Sequence, residues 1–479
     1  NATAAMHPRL TLSYRTAIAP QETLVAAAGQ RVTGHEFHRT QVSPASLDGS
    51  SAWLLDGLPA GFSADPAGTG SPTLHASYLH THWAGYPAMA QRLADAVHAY
   101  QPTSKPMRHG FGNNRAPVSL QEPPQVELGH HGDVELGDGL ANFAVNVLRS
   151  EPPQWLAEVI NAATPTLAAY PDAAAAIDAL ARLHGRDRDE VLPTAGAAEG
   201  FVLLARSLKM NRAVVVHPQF TEPELALRAA GHDVTRVVLT AGDGFRFDRT
   251  EVPDDADAIF IGNPTNPTSV LHRSSDIVRL LRPGRTVVVD EAFMDVVPGE
   301  IESLVRRRLP GLVVLRSLTK TWGIAGLRAG YAVGDRQIIA GMSANQPRWS
   351  VSSAALAVMR ATATRDAEQE RHDLARSVER NRTVLLGELA AAGIRCVSPA
   401  RGPFVLADTS SIRPHSADPG WLRQQLRDCG YAVRRGDTFP GLGADWIRIA
   451  VRSPEQTRAL ISQVVTLVAA KAQISGRIR

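Results

Sequence analysis

Lys320 stands in "VLRSLTKTWGIAGLRAGY" (residues 314–331), with Ser317 and Thr319 before it and Arg328 eight positions after it. A lysine that ends an apolar run, among small hydroxyl and apolar neighbours, is stripped of water. Its pKa then falls, and the neutral amine can form a Schiff base. Arg328 closes a turn punctuated by glycine, where backbone can approach an anion and a guanidinium can grip phosphate through two parallel hydrogen bonds. A Schiff-base lysine beside a phosphate clamp points to pyridoxal phosphate.

That cofactor makes further demands. Its pyridine nitrogen must stay protonated, which calls for a buried carboxylate, and Asp290 ends the apolar run "RTVVVD". Its phosphate needs backbone donors at a helix N-terminus. "PTAGAAEGFVLLARSL" supplies Thr194, Gly196, Ala197 and Ala198 just before a helical pattern. The ring needs an aromatic face, for which Phe220 in "VVVHPQFTEPE" is the candidate, and Asn266 can donate to the ring oxygen.

These residues need elements to bring them together. Short β-branched runs, "AVVV" at 213, "AIFI" at 258, "TVVV" at 286 and "LVVL" at 312, alternate with helical stretches. Such runs suit strands buried on both faces, hence an α/β fold with a mostly parallel central sheet and helices on both faces. In open sheets of this kind ligands bind beyond the carboxyl ends of the strands, where Asn266, Asp290, Ser317 and Lys320 all fall. Farther on, Arg448 sits inside the apolar run "WIRIAV", where an unpaired charge is costly, so it is expected to meet a substrate anion.

The chain has 479 residues, enough for more than one core, and a formal charge of only +3. No basic tract with interleaved aromatics suggests a nucleic-acid partner, and no apolar stretch is long enough to span a bilayer. Two cysteines, Cys396 and Cys429, argue against a disulfide scaffold and for a reducing, cytoplasmic setting. Residues 101–127, rich in proline, asparagine and glycine, read as a linker. Before them, five histidines lie in "RVTGHEFHRT" and "LHASYLHTHWAGYPAMAQRLADAV" without the cysteine or carboxylate partners a zinc site would need, so no metal is expected.

"TAGAAEG", "NPTNPTS", "DEAF" and "SLTKTWGIAGLRAGY" together resemble the motifs of fold type I pyridoxal-phosphate enzymes, the class I/II aminotransferases of the histidinol-phosphate branch. The resemblance covers about residues 126–479. It implies a large cofactor-binding domain over 128–375 and a smaller C-terminal α/β domain over 376–479. It also implies that Lys320 carries the cofactor, Asp290 meets the ring nitrogen, Asn266 the ring oxygen, Phe220 the ring face, and Ser317 with Arg328 the phosphate. Tyr170 in "AAYPD" would reach the cofactor phosphate of a neighbouring subunit, so a homodimer is implied. Substrate contacts by the same resemblance are Arg448 for a carboxylate, Arg434 or its neighbour Arg435 for a second anion, and His130 and Asn146. That set suits a small phosphorylated amino acid.

One position departs from the pattern. Where the branch usually reads Asp-Glu-Ala-Tyr, this chain has Phe293, which is similar to the threonine-phosphate decarboxylases of cobalamin synthesis. "HHGD" at 130–133 is similar to the His-Gly-Gly opening of that subfamily, with His131 in place of the first glycine. Residues 1–100 resemble the end of the glutamine amidotransferase domain of cobyrinate a,c-diamide synthases. His80 matches the histidine of such domains, and their cysteine nucleophile is absent from this segment. The resulting expectation is decarboxylation of L-threonine O-3-phosphate to (R)-1-amino-2-propanol phosphate. The alternative is transamination of histidinol phosphate or a related amino donor.

Overall fold

The computed structural model describes residues 3–46, 50–66, 70–81, 85–99 and 127–476. Apart from Glu127, the expected linker 101–127 lies outside the described residues. The chain divides into two compact units, Asn1–Leu120 and Gln121–Arg479.

In the first unit, β1 (Thr3–Ile18) and β2 (Arg31–Ser43) pair antiparallel, and the short strands β3 (Trp53–Leu55) and β4 (Leu58–Ala60) extend the sheet in the order β2-β1-β3-β4. A two-stranded ribbon, β5 (Phe62–Ala64) with β6 (Leu74–Ala76), and helix α1 (Pro87–Ala99) complete it. Trp53, Val32, Ala17 and Met89 form its small core. His80 exchanges backbone hydrogen bonds with His35, and their rings stack 5.0 Å apart.

The second unit opens with β7 (Ala141–Phe143), α2 (Gln154–Ala162) and α3 (Ala174–His184). Its larger sheet then assembles from β8 (Val191–Thr194), β9 (Ala213–His217), β10 (Val234–Val238), β11 (Ala258–Gly262), β12 (Thr286–Asp290), β13 (Leu312–Ser317) and β14 (Gly330–Gly334). The order is β10-β9-β11-β12-β13-β14-β8, parallel throughout except that β14 runs antiparallel to both its neighbours. The four β-branched runs are the four central parallel strands or their starts. Their residues alternate between two cores. Val214, Ile259, Val287 and Val314 pack with α2, α3 and α8 (Ser353–Thr362), whereas Val215, Phe260, Val288 and Leu315 pack with α4 (Ala197–Ser207), α5 (Glu222–Ala229) and α7 (Arg336–Asn345). Period-two side chains with both faces apolar require a helical layer on each side, and the fold provides both.

A second sheet, in the order β15-β16-β18-β17-β7, combines β15 (Arg395–Cys396), β16 (Phe404–Asp408), β17 (Tyr431–Arg435) and β18 (Trp446–Ala450) with β7 from the start of the unit. β7, in the opening arm expected within 128–375, pairs with β17 in the smaller sheet. Helices α10 (Trp421–Asp428) and α11 (Pro454–Gly476) cover that sheet. The 27-residue helix α9 (Arg365–Ala391) connects the two layers: Ala367 lies in the core of the large sheet, Leu385 and Leu389 in that of the small one. The expected boundary at 375/376 falls inside this continuous helix. No helix among the described residues is long and apolar enough to cross a membrane.

Candidate active site

Beyond the carboxyl ends of β9, β11, β12 and β13 lies a cavity of about 450 Å³. Lys320, three residues past the end of β13, lines it. Burial lowers the pKa of its amine to about 8, helped by Arg328 and Arg448 and opposed by Asp133 and Asp290. Asp290, the last residue of β12, shifts the other way. Burial raises its pKa to about 6, although the backbone N–H of Ala292 donates to Oδ1 at 3.0 Å and Lys320 favours its charged form. The strand ends place both groups, because β12 and β13 are adjacent and parallel.

An anion cradle lies beside them. Gly196, before the first turn of α4, has φ 81° and ψ 169°, a region open to glycine alone. A Cβ there would lie 2.7 Å from Nη2 of Arg328, so the absent side chain is what lets the guanidinium reach the helix N-terminus. Ala197, Ala198, Ser317 and Thr319 line the same end of the cavity, with the two hydroxyls 2.8 Å apart. Thr194 is fully buried, and its hydroxyl donates to the Gly196 carbonyl at 2.9 Å; it shapes the turn and does not line the cavity.

Phe220 lines another wall, with the ring of His131 tilted against it at 5.5 Å. His131 in turn bonds Glu222 at 2.6 Å. Phe293 packs edge-on against Phe404 at 5.0 Å, and Arg448 lies over the Phe404 ring at 5.4 Å. Arg448 donates to Oδ1 of Asn266 and to the carbonyl of Ala144. Among the described residues no carboxylate lies within ion-pair distance of it. Burial, with Arg434 and Arg452 nearby, pulls its pKa down. A buried cation open to a cavity and lacking a counter-ion is a site for a ligand anion. Since Asn266 uses its oxygen on Arg448, its amide N–H groups remain for a further acceptor.

Of the two neighbouring arginines, Arg434 lines the cavity and stacks over Phe439 at 4.8 Å, while Arg435 forms a bidentate pair with Asp437. Asn146 is buried in the cavity wall, and its Oδ1 has no hydrogen-bond partner. His130 is turned away: its ring bonds Glu135 at 3.1 Å, and the histidine that reaches the cavity is His131. Tyr170 stands outside the cavity, 76% exposed and stacked on Trp349 at 4.2 Å. His131, Asp133, Glu222 and Phe439 line the site without having been singled out for it. The "HHGD" motif was the available signal for the first two. The loop after Phe220 was the signal for Glu222.

The donor set fits pyridoxal phosphate. Lys320 could bind its carbonyl carbon, Asp290 its ring nitrogen, and Phe220 its face. The cradle of Ser317, Arg328 and the α4 N-terminus could take its phosphate. The unpartnered Asn146 oxygen and the uncompensated Arg448 are groups that a bound ligand would satisfy. Among the described residues no group of three or more His, Cys, Asp or Glu is placed to hold a metal ion.

Residues 138–464 match the family model for aminotransferase class I and II. The chain belongs to that family. Like other class I and II aminotransferases, it is a pyridoxal-phosphate enzyme of fold type I. Over 341 residues, 70% of this chain and 90% of the relative, it is 46% identical to a histidinol-phosphate aminotransferase of Mycobacterium bovis. A threonine-phosphate decarboxylase of Salmonella typhimurium is 28% identical over 68% of this chain and 90% of its own length. The crystal structure of the histidinol-phosphate aminotransferase from Clostridium acetobutylicum shares the fold, with a TM-score of 0.62 at 22% identity, covering 69% of this chain and all of that one. A separate stretch of 97 residues is 62% identical to hydrogenobyrinate a,c-diamide synthase of Thermobifida fusca. It spans 20% of each chain.

Proposed function

We propose that this aminotransferase moves the amino group of a small phosphorylated donor of the histidinol-phosphate type onto a 2-oxo acid. The observation that carries the reading is 46% identity across 90% of a histidinol-phosphate aminotransferase, against 28% for a threonine-phosphate decarboxylase. It reverses the order expected from the motifs, in which decarboxylation came first.

Bound pyridoxal phosphate supplies an electron sink for the donor's α-carbon. Asp290, ionised above its pKa of about 6, holds a proton on the ring nitrogen and keeps that sink electron-poor. Nζ of Lys320, with a pKa of about 8, is neutral often enough near neutrality to accept the α-proton and hand it on. Arg448 and Arg434 receive anions. Histidinol phosphate has no carboxylate, so the cations that hold its phosphate in one half-reaction must hold the acceptor's carboxylate in the other. Neither arginine is fully neutralised within the chain, which suits that shared use.

Decarboxylation of threonine phosphate is favoured by two observations, the absent phenol at Phe293 and the 97-residue match to hydrogenobyrinate a,c-diamide synthase. The experiment that decides offers the holoenzyme each substrate separately. Transamination yields glutamate from histidinol phosphate and 2-oxoglutarate, and no carbon dioxide from threonine phosphate. The reverse pattern replaces the first reading by the second.

The same reading makes the enzyme a cytoplasmic homodimer. The free thiols of Cys396 and Cys429 support the first part, and the exposed aromatic pair Tyr170 and Trp349 the second. Light scattering that returned a monomer's mass for the holoenzyme would overturn the dimer.

A further inference from the structure

Residues 128–135 form a strap along the cavity, tied on both sides. Toward the large sheet, Thr221 donates to the carbonyl of Leu128 at 2.6 Å and His131 bonds Glu222. Toward the small sheet the His130 carbonyl accepts from Arg434 at 2.6 Å, and the other ties run through one buried carboxylate, Glu135, or its backbone. Glu135 is 3% exposed. Its Oε2 accepts from Arg423 of α10 at 3.0 Å, while Oε1 accepts from the backbone N–H of Arg435 at 3.2 Å and lies 3.1 Å from the ring of His130. Its carbonyl accepts from Arg427 at 2.6 Å.

Arg434 is the remaining neighbour, and its relation to Glu135 is different. The two stand 3.5 Å apart, beyond a good charge-assisted bond. Arg434 is held instead by the carbonyls of His130 at 2.6 Å and Arg435 at 3.2 Å, and by the face of Phe439. Glu135 thus divides its charge between Arg423 and Arg434. Arg435 is already matched by Asp437, so two guanidinium groups share one carboxylate and the cluster keeps a surplus positive charge. That surplus lies on the arginine that opens onto the cavity.

We propose that Glu135 is a positioning residue for recognition of the donor's phosphate: drawn off by Arg423, it fixes the strap and orients Arg434 without quenching it. The inference rests on the reading of a phosphorylated donor above, and two variants test it. Glu135→Gln removes the charge and leaves an amide that cannot accept from all three donors, so Arg434 loses its orientation. Arg423→Met, on the partly exposed side of the cluster, releases Glu135 to close on Arg434 and quench it.

The holoenzyme variants are assayed with whichever phosphorylated donor turns over, histidinol phosphate or threonine phosphate, and with its unphosphorylated counterpart. At saturating 2-oxo acid, where one is needed, each variant should raise KM for the phosphorylated donor about tenfold, the size expected for one charge-assisted contact, with kcat and the unphosphorylated KM changed by less than about twofold. A merely structural role would move both donors by the same factor. That result, or no change for either donor, overturns the proposal. If Glu135→Gln fails to fold or retain cofactor, Arg423→Met decides alone. If the unaltered enzyme does not distinguish the two donors, the reading of a phosphorylated substrate fails and this inference with it.

Discussion

Lys320 and Asp290 are displaced from their ordinary pKa values in opposite directions by one cause, removal of water from the ends of two adjacent buried strands. With a pKa of about 8, roughly one Lys320 amine in ten is neutral at pH 7, against fewer than about one in a thousand for an ordinary lysine. Only the neutral form attacks a carbonyl. Cofactor uptake by the stripped protein should therefore quicken as pH rises from about 7 and level off above about 8, which stopped-flow absorbance reads directly. A rise continuing toward pH 10 would mean that the amine is not buried. Lys320→Ala should lower turnover at least about a thousandfold and abolish the covalent cofactor's visible absorption, with circular dichroism unchanged. At Phe293 a phenol would donate to the ring oxygen of the cofactor. Phe293→Tyr should lower the pKa read from the visible spectrum of the bound cofactor, and an upward shift would contradict this placement of residue 293.

At the scale of elements, the site depends on abrupt exits from buried strands. The turn between β8 and α4 is one, since Gly196 occupies a glycine-only conformation and leaves Arg328 room against the helix N-terminus. Gly196→Ala adds backbone strain of about 1–3 kcal/mol and a clash with Arg328. It should lower thermal stability and weaken cofactor binding about tenfold or more in equilibrium titration. Unchanged affinity would remove the cradle from the phosphate's position. Beneath the exits of β12 and β13, the buried Arg316 pairs with Glu291, Asp295 and Glu300, tying the residues next to Asp290 and Ser317 into one network. That network ties together the strand ends that carry Asp290 and lead to Lys320.

At the scale of the molecule, every residue that lines the cavity lies between His131 and Arg448, within the second compact unit. Removing residues 1–120 should therefore leave cofactor affinity and turnover within about twofold, because the deleted unit has a separate core of its own. Loss of cofactor by the shortened chain, measured by equilibrium dialysis, would make the first unit part of the enzyme.

The sequence by itself determined the strands and what stands at their ends. "TVVVD" and "LVVLRS" are apolar on both faces, the pattern of strands that helices cover on each side, and a group placed just past such a run is delivered to the rim of the sheet. Lys320, Asp290, Phe220 and Ser317, which line the cavity, were legible for that reason; Gly196 was read as a backbone donor before a helix, and the conformation of its turn came from the structure. Tertiary structure decided matters of facing. His130 and His131 are neighbours in a loop, and the capture of His130 by Glu135 and of His131 by Glu222 leaves His131 facing the cavity. Alternation along β17 separates Arg434 from Arg435. Which of them faces inward was settled by the register that sets Arg434 opposite Arg448 on β18. β14 carries no local sign of running antiparallel between β13 and β8. Glu135 gathers its role from arginines nearly three hundred positions away. A local pattern records the period of an element; contacts between residues so distant in the chain come into being only when the sheets and helices pack.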